Sequence, residues 1–204
     1  MSFQTTNLQS VSGWLGRLIR LDLTVFDEVR SDPSATPGAI VVVFLASVLA
    51  GIGSWLWAVQ TDGVDAGEVF VKSLLIGSVL QTLVWFIWVY LVFQVLARAY
   101  GARTDFYELI RTMGFAFAPV AMSVLIAITA FAVPFGVAAL SGAALFSHFA
   151  IQSSSSAEPR QVLIANFVGF LSFAVVMGVL ANIAEINTVG GLAPGLFFFS
   201  LDLR

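Results

Sequence analysis

Long apolar runs separated by short polar ones set the outline of this chain. The runs occupy about residues 39–59, 69–97 and 162–184, and residues 112–152 carry no charge apart from His148. At about 1.5 Å of rise per residue, a run of some forty would make a helix near twice the ~30 Å hydrocarbon thickness. It must therefore turn back, and Pro134, Gly136 and Gly142 supply the places, giving spans at 112–133 and 135–151. The second of these is short and rich in Ala and Gly, so a re-entrant or interfacial segment is the alternative reading. The pattern predicts an all-α polytopic transmembrane helical bundle of five spans.

Ahead of the first span the periodicity changes. In residues 14–30 the side chains of Trp14, Leu15, Leu18, Ile19, Leu21, Val25, Phe26 and Val29 fall on one arc at 100° per residue. Arg17, Arg20, Thr24, Asp27 and Glu28 fall on the other. This predicts an amphipathic helix that lies in the membrane interface or packs on the ends of the spans. Asp22 sits within the apolar arc and needs a partner there. Asp32-Pro33 and Pro37-Gly38 end the helix before the first span. The organisation expected is an amino-terminal segment over 1–36, a bundle over 37–186 and a Phe-rich tail over 187–204. No cleavable signal peptide is expected, since the first apolar run starts late and is long enough to be retained.

Composition agrees with this outline and removes several chemistries. The 204 residues are 59% hydrophobic and only 10% charged, far from the roughly 25% charged of soluble domains. There is no cysteine and a single histidine, so thiolate chemistry, iron–sulfur ligation and thiolate zinc sites are out of reach. No phosphate-cradling glycine motif, nucleophile elbow or paired intramembrane aspartates can be found. No cofactor, metal or nucleic-acid partner is expected, and the protein reads as non-enzymatic. Charge placement is more informative than its sum. Arg17, Arg20 and Arg30 precede the first span and Arg98, Arg103 and Arg111 follow the second, whereas residues 61–68 hold acids and no base. By the positive-inside rule the amino terminus and the 98–111 connection face the cytoplasm.

Two stretches resemble the Yip1 family, in particular its prokaryotic members. One is Leu21-Asp22-Leu23 with Val25-Phe26-Asp27-Glu28-Val29, Asp32-Pro33 and Thr36, opening onto the first span. The other is Phe106-Tyr107-Glu108-Leu109 with Arg111 and Gly114-Phe115-Ala116-Phe117-Ala118-Pro119. Phe115 stands where the family pattern would carry Tyr. The resemblance implies five spans, a cytoplasmic amino terminus and a partner-binding or membrane-organising scaffold in a bacterial inner membrane, with the lipid bilayer, further copies or other membrane proteins as partners. On the scaffold reading, Asp22, Tyr107, Arg111, Gly114 and Pro119 are the expected structural and partner-binding determinants, and Arg111 is expected to pair with Asp22 or Glu108. Two other readings stay open. A small transporter or channel would use Asn182 and Glu185, which with Gly178 form one stripe of the last span. An accessory subunit of a larger membrane complex would use the apolar spans as contact surface.

Overall fold

The computed structural model describes residues 8–62 and 64–183. Two short helices lead, α1 (Leu8–Ile19) and α2 (Val25–Ser31). Then come α3 (Ala35–Val59), α4 (Ala66–Ala99), α5 (Phe106–Ala116), α6 (Ala132–Ser153) and α7 (Pro159–Ile183). α4 widens into π-helical turns over Phe70–Gly77 and Val95–Ala99. α5 continues as a tighter 3₁₀ helix over Ala118–Ala127. Among the described residues, five helical segments are long and apolar enough to cross a membrane. The segment Thr129–Ser153 has 25 residues, enough for a full crossing in place of a re-entrant loop.

The burial pattern is that of a bundle immersed in hydrocarbon. Large apolar side chains such as Phe44, Leu45, Leu83, Leu163, Phe167 and Val179 point outward and are exposed. The interior holds aromatic rings around Trp85, Trp88, Phe115, Phe117 and Phe173, beside many alanines and serines. Lipid tails are as apolar as the side chains, so close packing rather than water exclusion must hold such helices together. Small residues permit it. Gly114 of α5 lies against Ala39 of α3, where an added Cβ would stand 2.7 Å from the alanine methyl. Gly53 faces the backbone of Ser123 and Val124, and Gly169 of α7 faces the indole and carbonyl of Trp88.

Some buried hydroxyls bond along their own helices, whereas those of Ser73, Ser123 and Ser147 have no hydrogen-bond partner among the described residues. Ser47 donates to Val43 O at 2.9 Å and Thr82 to Ser78 O at 2.8 Å. Asn166 works between helices, accepting from Trp88 Nε1 at 3.2 Å and donating to Ala144 O at 2.8 Å. It thereby joins α4, α7 and α6.

The single amphipathic helix expected over residues 14–30 is divided. Leu21 has φ of 60°, the left-handed region that an L side chain rarely enters, and residues 20–24 form an elbow between α1 and α2. The third span also starts earlier than the run of uncharged residues suggests. Asp105 accepts from the amides of Tyr107 (2.8 Å) and Glu108 (3.0 Å) and caps α5, so Glu108 and Arg111 belong to the helix. Pro119 sits at the beginning of the 3₁₀ segment, where its missing N–H ends the α-helical pattern.

Candidate functional site at the arginine-bearing end

A group of polar residues gathers where α2, α5 and α6 meet. The carbonyls that end a helix lack intrahelical partners, and the helix dipole gathers negative charge there. Two of these ends are occupied by guanidiniums. Arg111, only 7% exposed, donates from Nε (3.1 Å) and Nη2 (2.6 Å) to the carbonyl of Arg30 at the end of α2. Arg30 in turn donates through Nη1 to the carbonyl of Ser153 at the end of α6. The result is a relay of two arginines, each capping the helix beyond it, that clasps α2 to two membrane spans. Val25, Phe26 and Val29 complete the attachment with fully buried side chains.

This corrects the pairing expected for Arg111. Neither Asp22 nor Glu108 is its partner, because both hydrogen bonds of its guanidinium go to the main-chain oxygen of Arg30. Asp22 stays within the elbow, where Arg17 Nε donates to it at 2.8 Å and the Thr24 hydroxyl at 2.6 Å. Arg17 also reaches Glu28 at 2.7 Å, tying α1 to α2. The Thr24 hydroxyl first, and then the Arg17 guanidinium, hold the Asp22 carboxyl below the usual carboxylate range. Glu28 and then Asp22 raise the guanidinium of Arg17.

The sign of the pH effect follows from the lowered Asp22 value. A depressed carboxylate contributes stability above its unfolded pKa of about 3.9 and loses it as pH falls through the folded value. A spin label at Gly13→Cys, a position with nothing within 4 Å of an added Cβ, should therefore gain mobility as pH drops below about 4. Adding Asp22→Asn should make the label mobile at neutral pH and flatten the pH response. An unchanged spectrum in that double variant would mean the elbow does not hold α1.

The Ser153–Ser156 run reads from sequence as flexible loop, yet it is built into the site. Ser154 is buried, and its hydroxyl meets that of Thr112 at 2.9 Å. Arg103 and Ser156 exchange two bonds, Arg103 N to Ser156 Oγ (2.9 Å) and Ser156 N to Arg103 O (3.0 Å), around an antiparallel bridge between Thr104 and Ser155. The two connections and the end of α2 enclose a polar cleft of about 720 Å³. Arg30, Arg103, Asp105, Glu108 and the serines line it.

The remaining candidate residues are dispersed. Tyr107 is 63% exposed at the start of α5, and its ring lies edge-on to Phe106. Gly114 is inside the bundle against Ala39. Pro119 borders a second, apolar groove of about 500 Å³, formed with Leu15, Leu18 and Leu21 and with Gly142 of α6. Asp22, Tyr107, Arg111, Gly114 and Pro119 thus make no single constellation. Asn182 belongs to α7, but its side chain and Glu185 lie outside the described residues, as does the Phe-rich tail. Among the described residues there is no group of three or more metal-ligating side chains.

Sequence reasoning used Arg30 and Arg103 only to orient the chain. Arg30, placed just before the helix-ending Asp32-Pro33, carried an available signal, whereas nothing in the sequence around Arg103 marks its contact with the serine run about fifty residues away. No protein-family model matches the chain, and neither curated proteins nor solved structures provide a match.

Proposed function

We propose that this polytopic membrane protein is a non-enzymatic scaffold of the Yip1 type. It would organise membrane or hold partner proteins in a bacterial cytoplasmic membrane, with the amino terminus and the 98–111 connection on the cytoplasmic side. The observation that carries the proposal is the arginine relay. The buried basic chemistry of the bundle is engaged with main-chain carbonyls, so it fixes a surface instead of facing a reaction. That surface consists of α2, the elbow and the two polar connections, all at one end of the spans. α1 supports the same reading, with Val11 and Leu18 buried against the bundle and Arg20 exposed. This arrangement suits an amphipathic helix at a bilayer interface. The arginine asymmetry supports the orientation, and the two motifs quoted above support the family.

The scaffold reading predicts self-association in a membrane. Because the chain has no cysteine, a single Asp27→Cys on the exposed face of α2 can carry a fluorophore or a crosslinker. In liposomes at high lipid dilution, energy transfer between labelled copies should persist and should fall when unlabelled chain is added. Energy transfer that vanishes on dilution, together with ion or solute flux abolished by Glu185→Gln, would overturn the proposal in favour of a transporter. A stable one-to-one complex with a larger membrane assembly, and no homotypic transfer, would instead make it an accessory subunit.

A further inference from the structure

The cleft between α2 and the two polar connections has an unusual charge arrangement. Arg30 and Arg103 line it, and Arg111 is buried behind Arg30. None of the three has a carboxylate within ion-pair distance among the described residues. The guanidiniums of Arg30 and Arg111 donate to carbonyl oxygens, which supply only part of a negative charge through the helix ends. Of the two acids at the cleft, Asp105 is engaged by two amides at the start of α5. Glu108 has no cationic partner among the described residues, although it stands in the same wall. The cavity therefore presents guanidinium donors beside two carboxylates, of which Glu108 is the one that no backbone amide among the described residues engages. Ser156 Oγ already accepts from Arg103 N, so its own proton is directed elsewhere.

Position narrows the ligand. Ser153 ends one span, Ala99 ends another and Phe106 begins a third, so the cleft opens at the level where helices leave hydrocarbon. Phospholipid headgroups lie at that level. A guanidinium fork matches a phosphate diester, and a carboxylate nearby suits an ammonium bearing N–H donors. We infer that the cleft is a binding site for a zwitterionic phospholipid headgroup of the phosphoethanolamine class, with its phosphate at Arg103 and Arg30 and its ammonium at Glu108. The inference does not rest on the scaffold reading, since a transporter or a subunit could carry the same lipid site.

Native mass spectrometry tests it on the full chain, exchanged into mild detergent containing equal amounts of phosphatidylethanolamine, phosphatidylglycerol and phosphatidylcholine. One phosphatidylethanolamine should be retained in preference to the others. Arg103→Gln, at an exposed side chain, should lower that retention about tenfold. Glu108→Gln should keep a lipid bound but move the preference towards phosphatidylglycerol, a shift that mere loss of folding would not produce. Thermal unfolding of both variants checks that the bundle is intact. Equal retention in wild type and Arg103→Gln, or an unchanged preference in Glu108→Gln, would overturn the assignment. Displacement of the lipid by inorganic phosphate or glycerophosphoethanolamine at modest concentration would overturn its membrane source, making a soluble phosphate ester the ligand.

Discussion

Alanine at Gly169 is expected to destabilise the bundle by about 1–3 kcal/mol, at the upper end of that range for overpacking. The new methyl would overlap the Trp88 indole, with the Trp88 carbonyl also only 3.0 Å away. The ring has nowhere to go, because Phe170 (5.3 Å between centroids) and Phe173 (5.6 Å) surround it and its Nε1 is bonded to Asn166. Moving it disturbs α4, α6 and α7 together. Thermal unfolding in detergent should show a clear drop in midpoint, and the same methyl at Gly16 is the control. Gly16 lies within α1 with nothing within 4 Å, so Gly16→Ala should stabilise that helix by about 0.5–1 kcal/mol through backbone entropy. If Gly169→Ala unfolds no earlier than the parent, the contact between α4 and α7 is looser than described.

Arg111→Ala is the second large effect expected. Hydrogen bonds from a charged donor contribute about 1.5–3 kcal/mol, and here the loss also leaves the Arg30 carbonyl without its partner. The consequence should be local. α2 would detach from the spans while the aromatic interior stays packed, and trypsin should cleave after Arg30 at least tenfold faster. That factor corresponds to about 1.4 kcal/mol of easier opening, provided opening and closing are fast relative to cleavage. Arg111→Lys should fall between the two, since an ammonium can approach the carbonyl but lacks the fork. Protection of Arg30 unchanged in Arg111→Ala would show that Val25, Phe26 and Val29 hold α2 unaided.

The spans were legible because hydrocarbon demands an unmistakable pattern, some twenty apolar residues in succession. Their contacts were less so. Leu21 carries no mark of the left-handed backbone it adopts, since glycine or asparagine would be the usual occupant. Periodicity therefore joined α1 and α2 into one helix. Arg111 invited a search for a carboxylate, and sequence patterns do not show a carbonyl left over at the end of another helix. Ser154 and Ser156 resemble linker composition, but their hydroxyls are engaged by Thr112 and Arg103, residues about forty and fifty positions away. Pro119 was more informative, because a ring without an N–H must disturb a helix wherever it stands.

The 3₁₀ stretch of the third span has a metric consequence. That span has 22 residues against 25 for α3, along which it packs. Wound entirely as α-helix it would measure about 33 Å, some 4 Å less than its neighbour. Ten residues at about 2.0 Å each extend it to roughly 38 Å. The tighter coil thus compensates for a missing turn, and lets Ala127 arrive level with Gln60, whose amide reaches its carbonyl at 3.0 Å.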